Sequence, residues 1–188
     1  MAVHQPVHKS GVYFITFTCY RWLPLISDTE CYDTIFKFFD VLQRRNHSIL
    51  GYVIMPNHVH LLVHYTGGDR DLNLEIGSGK RFIAYDIVKK LKEQQREDIL
   101  LQLSKAVKAK DKSRGKKHEV WEDTFDVKEC RNEKFILQKL VYIHNNPCTG
   151  KWKLVQRPIE YKWSSANFYE GDGKGSVMLD YSNVLPLL

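Results

Sequence analysis

The residues best able to do chemistry lie in one short stretch, Gly51–Tyr65, which reads GYVIMPNHVHLLVHY. Alternate residues of a strand share a face, so His58 and His60 point the same way and Val59 points to the other side. Leu62 and His64 continue the first face. Two imidazoles about 7 Å apart along a strand can converge on one metal ion when a third ligand completes the site. A pair of hydrogen-bonded histidines on a half-exposed strand has the same spacing, so His-x-His alone does not separate the two. His64, farther along, reads as a structural or DNA-facing residue rather than a ligand.

A second candidate lies near the other end of the chain. The spacing predicts a helix over Asn132–Asn146, with Ile136, Leu137, Leu140 and Ile143 as its apolar stripe. Steps of about 100° per residue put Tyr142 opposite Leu140, among Gln138, Asn145 and Asn146. A tyrosine needed only for packing belongs on the apolar stripe, whereas this one has Asn146 one turn away at i+4. A surface tyrosine closing a helix end is the plainer explanation of the same pattern.

These residues need a scaffold, and the remaining sequence supplies its parts. Val12–Thr18 (VYFITFT) is β-branched and aromatic and predicts a strand. Asp28 can cap a helix running to about Arg45, with Ile35, Phe38, Phe39 and Leu42 on one stripe. Ile49–Met55 and His58–Tyr65 form a hairpin through the Pro56-Asn57 turn. Gly67-Gly68 breaks it, and a helix is expected from Lys80 to Lys92 or beyond. Val120–Lys128 predicts a fourth strand, and Pro147 stops the last helix. The order β-α-β-β-α-β followed by a helix defines an α+β, ferredoxin-like split βαβ with a central antiparallel sheet. One domain over residues 1–188 is expected, with a tail at 150–188 docked on it through Trp163-Ser164-Ser165.

Composition limits the alternatives. The chain has 188 residues, 43% apolar and 27% charged, which is ordinary for a globular protein. No apolar run approaches the ~18–20 residues of a membrane span, and the first residues show no secretory pattern. Cys19, Cys31, Cys130 and Cys148 are scattered with no C-x-x-C pair, which fits a reducing, cytoplasmic setting. The net charge is +6. Lys105–Lys117 carries seven basic residues (Lys105, Lys108, Lys110, Lys112, Arg114, Lys116, Lys117) against one acid, so it alone equals the whole excess. It reads as a mobile basic loop inserted in the domain, suited to a polyanion. The stretch GSGKRFIAYDIVKK adds Lys80, Arg81, Lys89 and Lys90 near Phe82 and Tyr85. Lys80 and Arg81, at the start of the predicted helix, are phosphate contacts helped by its dipole.

Taken together, YVIMPNHVHLLV, the later YIHNNP and the tail's YKWSS resemble the single-tyrosine HUH transposases, and within them the REP-associated tyrosine transposase branch. The resemblance runs from about Val12 to Tyr169, and its strength is the conjunction: MPNH before His-x-His, then YIHNNP about eighty residues later. It departs from the family at Trp121-Glu122-Asp123-Thr124-Phe125, where many relatives have tryptophan and a short basic motif, and in the length and charge of Lys105–Lys117. The resemblance implies a ferredoxin-like fold with His58 and His60 as metal ligands, Asn146 as third ligand and Tyr142 as nucleophile. It implies Mg²⁺ or Mn²⁺ as cofactor and hairpin-forming, single-stranded DNA as partner, cleaved and rejoined through a 5′-phosphotyrosine. A homodimer is left open, because relatives differ on it, and the expected location is the cytoplasm, at the nucleoid. Two other readings stand beside it: a replication-initiator or relaxase-like nickase, and a non-catalytic binder of repeat DNA.

Overall fold

The computed structural model describes residues 7–68, 70–122, 126–171 and 180–187. Strand β1 (Gly11–Thr18) is followed by helices α1 (Leu25–Asp28) and α2 (Tyr32–Arg44), then by the hairpin of β2 (Ser48–Met55) and β3 (His58–Tyr65). Helices α3 (Leu72–Glu93), α4 (Glu97–Lys105) and α5 (Ala109–Lys112) precede β4 (Asp126–Glu129), and α6 (Glu133–Asn145) and α7 (Ala166–Glu170) complete the chain. The four strands form one antiparallel sheet in the order β2-β3-β1-β4. That order is the ferredoxin-like split βαβ expected from the sequence.

The sheet separates two apolar cores. Tyr13, Ile15 and Phe17 of β1 meet Val59, Leu61 and Val63 of β3 under α2 and α3. Val12, Phe14, Leu50, Val53 and Leu62 pack beneath α6 on the other face. Every residue of β3 is buried, because the strand is central and both faces are covered. Glycine permits the closest approach of a helix on each side. A Cβ on Gly79 would enter the Phe38 ring, and one on Gly51, at a register shift in β2, would meet the Leu140 side chain.

Several elements differ from the sequence reading. Asp28 ends the four-residue α1 instead of capping the long helix; Glu30 turns the chain at φ 48 and Cys31 precedes α2. Helix α3 starts at Leu72, where the Asp71 carboxylate accepts from the Asn73 N–H at 2.8 Å. The Gly77-Ser78-Gly79 run looks like a breaker yet lies inside the helix, with Gly79 serving contact with α2. Lys80 and Arg81 are therefore mid-helix, away from any N-terminal dipole. The basic insertion ends α4, contains α5 and lines a groove, so it is partly ordered and not wholly loop. The fourth strand is described only at Asp126–Glu129, with Trp121 forming an isolated bridge to Cys19; Asp123, Thr124 and Phe125 lie outside the described residues. Leu137 is 39% exposed, while Ile136, Leu140 and Ile143 are buried.

Beyond α6, the chain returns to the free edge of β2. The Ile54 N–H donates to Trp163 O at 2.8 Å and the Ser165 N–H to Tyr52 O at 2.9 Å, while Trp163 stacks on Tyr32 at 4.0 Å. Ser165 Oγ accepts from the Tyr52 N–H at 2.9 Å and lies 3.0 Å from His144 Nε2 of α6. All four cysteines are free thiols, and no helix among the described residues is long and apolar enough to cross a membrane.

Candidate functional site

Register places the histidines. His60 of β3 pairs with Thr16 of β1 and Val53 of β2, so its ring emerges from the middle of the sheet beneath α6. His58, two residues earlier, lies at the Pro56-Asn57 turn. Their rings tilt together until the centroids are 4.7 Å apart, closer than their backbones.

The hydrogen bonds around each ring fix which nitrogen is free. Asn57 Nδ2 donates to Trp22 O at 3.0 Å, which leaves Asn57 Oδ1 to accept from His58 Nδ1 at 2.7 Å. The proton of His58 is thus on Nδ1, and the Nε2 lone pair faces Asn146 Oδ1 at 3.2 Å. Two lone pairs opposed at that distance are relieved either by a shared cation or by turning the Asn146 amide. His60 Nδ1 is 2.7 Å from Thr16 Oγ1, and its buried Nε2 has no partner among the described residues. Burial pushes His58 down to about 4, partly opposed by the Asn146 contact. Burial, then His58 and Lys139, hold His60 well below the usual imidazole range. Both rings are neutral at physiological pH, the state a metal ligand requires.

Helix α6 supplies the rest. The Asn132 side chain accepts from the Phe135 N–H at 2.9 Å and starts it; Asn146 ends it. Phe135, Lys139, Tyr142 and Asn146 fall on one stripe at helical spacing, and Tyr142 and Asn146 on it reach the histidine rings while Tyr142 stays partly open to solvent. The Tyr142 ring is 5.0 Å from His60 and 6.0 Å from Phe14, edge-on to both, with the residue 49% exposed. Lys139 Nζ lies 4.6 Å from the Phe14 ring centre and 5.9 Å from that of Tyr142. His58, His60, Tyr142 and Asn146 therefore meet at one place. The described residues hold no cluster of three His, Cys, Asp or Glu, so the donor set is two imidazole nitrogens and the Asn146 carbonyl. That set fits a divalent cation that keeps open positions.

The residues read as DNA contacts scatter. Arg81, Lys89, Arg114, Lys116 and Lys117 line a groove of about 1080 Å³ between α3 and the segment before β4. Lys80 also borders it but is buried, and Lys89 pairs with Glu93. Lys90 turns away from the groove, donating to Glu30 O at 3.2 Å and pairing with Asp86. Lys105 borders a smaller cavity with Tyr20 and Arg21, while Lys108, Lys110 and Lys112 are exposed around α5. His64 is 5% exposed, so it cannot face DNA and is part of the interior.

Sequence reasoning passed over Thr16, Asn57, Lys139 and Trp22. Lys139 carried a readable signal, being three residues before Tyr142 on one helix face. Thr16 did not, because only the strand register brings it to His60.

The architecture is a ferredoxin-like α+β fold with a histidine pair on a central strand and a tyrosine helix laid across it. Among solved structures it is similar to that of a REP-associated tyrosine transposase bound to a REP hairpin, with a TM-score of 0.61 and 19% identity over 95% of this chain and 91% of that one. A transposase structure from Deinococcus radiodurans covers 77% of this chain and 97% of its own at 15% identity and a TM-score of 0.44. No family model and no curated protein matches the sequence.

Proposed function

We propose that this protein is a transposase-type enzyme that binds hairpin DNA and cleaves and rejoins single strands through Tyr142. The observation that carries this reading is the Tyr142 ring 5.0 Å from His60, whose buried Nε2 is unpaired among the described residues. The shared fold with a transposase bound to a REP hairpin supports DNA of that kind as partner.

A divalent cation, Mg²⁺ or Mn²⁺, would be held by His58 Nε2, His60 Nε2 and Asn146 Oδ1, and when bound supplies Lewis-acid charge to the non-bridging phosphate oxygens. Asn57 and Thr16 hold the two rings so that both Nε2 atoms stay free. Lys139 adds a fixed positive charge beside the tyrosine. Tyr142 Oη forms the new bond to phosphorus as the P–O3′ bond breaks. The phenolic proton leaves and a proton ends on the 3′ oxygen, giving a 5′-phosphotyrosine and a free 3′-OH. The ester conserves the transfer potential, so rejoining needs no nucleotide cofactor. The 5.0 Å separation of the Tyr142 and His60 rings within one chain supports a site built by a single subunit.

The test is a covalent adduct. Single-stranded DNA carrying its flanking palindrome is incubated with the protein and Mn²⁺, and protein joined to a 5′ end is sought by denaturing gel and mass spectrometry. Wild type should give an adduct at Tyr142, and Tyr142→Phe should give neither adduct nor cleaved strand while still binding DNA. Cleavage by Tyr142→Phe would overturn the mechanism. Wild type that binds the hairpin and never cleaves would make the protein a repeat-DNA binder.

A further inference from the structure

The loop between β1 and α1 holds an arrangement that neither core nor the chemistry above accounts for. Of the four tryptophans, Trp121 is buried, Trp152 and Trp163 are half-buried, and Trp22 is 54% exposed and belongs to neither apolar core. Trp22 also occupies the left-handed backbone region at φ 58, directly after Arg21 at φ 50. That region crowds Cβ against the following carbonyl, so two consecutive bulky residues there persist only when their surroundings hold them.

Three hydrogen bonds hold them. The Trp22 N–H donates to Cys19 O at 3.0 Å, the Arg21 N–H to Glu122 Oε1 at 2.7 Å, and Asn57 Nδ2 to Trp22 O at 3.0 Å. Asn57 is the residue whose other amide atom orients His58. One side chain therefore fixes both the strained turn and a candidate metal ligand. The result is an indole standing 5.7 Å from the His58 ring at 70°, with more than half of the residue open beside the histidine pair.

We propose that Trp22 is a nucleobase platform, on which the base of a nucleotide next to the phosphate at His58 and His60 stacks. This rests on the reading that the histidine pair meets a single-stranded DNA phosphate. A base is one sugar away from its phosphate, the scale of the indole–imidazole separation. Every base has a π-face, so an exposed, immobilised indole recognises any of them and orders the strand before Tyr142 attacks. The strained turn serves this by turning the ring away from the core and towards the site.

The experiment uses the full chain, a hairpin oligonucleotide with a single-stranded flank, and the same oligonucleotide with one abasic site moved along the flank. Anisotropy of the labelled oligonucleotide reads binding, quenching of tryptophan emission in wild type reads stacking on Trp22, and the Tyr142 adduct reads chemistry. Trp22→Leu, which keeps apolar bulk without a π-face, should weaken binding and slow adduct formation by about tenfold to a hundredfold. Trp22→Phe should recover most of that loss. Trp22→Gly should lose as much as Trp22→Leu with an unfolding midpoint no lower than wild type, because the left-handed strain is gone. One abasic position should bring wild type down to the level of Trp22→Leu and leave the variant unaffected. Wild-type binding and rate in Trp22→Leu would overturn the platform, as would abasic sites that harm both proteins equally at every position. A quench that depends on Trp22 without any adduct would uphold the platform and sink the cleavage reading alone.

Discussion

The two faces of β3 show how one strand serves opposite ends. Towards α2 and α3 it sends Val59, Leu61, Val63 and Tyr65, all fully buried, and that face is closed by the contact of Gly79 with Phe38. Towards α6 it sends His58, His60, Leu62 and His64, equally deep, and two of those imidazoles carry an Nε2 with no partner among the described residues. An unsatisfied buried polar atom costs about 1–3 kcal/mol. The first face thus concentrates stability, and the second gives some of it up at His60 and His64.

Replacing residues on each face tests that division, and the largest effect belongs to the histidine face. His58→Ala with His60→Ala should abolish cleavage while largely retaining hairpin binding, measured by adduct assay and gel shift. Metal-dependent cleavage at the wild-type rate in that variant would erase the distinction between the faces. On the other side, Gly79→Ala should destabilise the fold by about 1–3 kcal/mol through overpacking against Phe38. Denaturant titration measures the destabilisation, and adduct yield per folded molecule should not change. A comparable fall in specific activity would mean that α3 contributes to the site. The smallest effect is electrostatic. Neutralising the cations of Lys105–Lys117 should weaken DNA binding about equally across sequences. For every phosphate that the segment no longer neutralises, the log–log salt slope should change by about 0.7 on single strands. An unchanged slope would make the segment solvated surface only.

Much of the fold was readable because its signals are local. The β3 bounds follow from the Pro56-Asn57 turn before it and the glycine pair after it, and the caps of α6 are the two asparagines that bound its pattern. The helix expected only from Lys80 starts at Leu72 for a physical reason: glycine costs stability in an isolated helix, yet Gly79 permits close packing on Phe38, a contact that only the tertiary structure reveals. Asp28 misled, since a capping side chain cannot reveal that Glu30 turns the chain first. At the site, the side chains with reactive atoms were visible from type and spacing, and the resemblance gave them roles. Those that orient them were not. Thr16 reaches His60 through register, and Trp22 reaches His58 through a backbone conformation that its sequence gives no reason to adopt.

The clasp of Ser165 on Tyr52 and His144 bears on when the site can exist at all. Asn146 and His58 are 88 residues apart in the chain, and Ser165 and Tyr52 are 113 apart. Contacts of such separation form slowly, because the entropy of closing long loops must be met before they bring any gain. β3 must be in place before β1 and β2 can join one sheet, and the outer edge of β2 then stays open until Trp163-Ser164-Ser165, which also meets α6 at His144, is laid against it. His58 and Asn146, 88 residues apart, are thus brought together late, after the segments that flank them have found their places on the sheet.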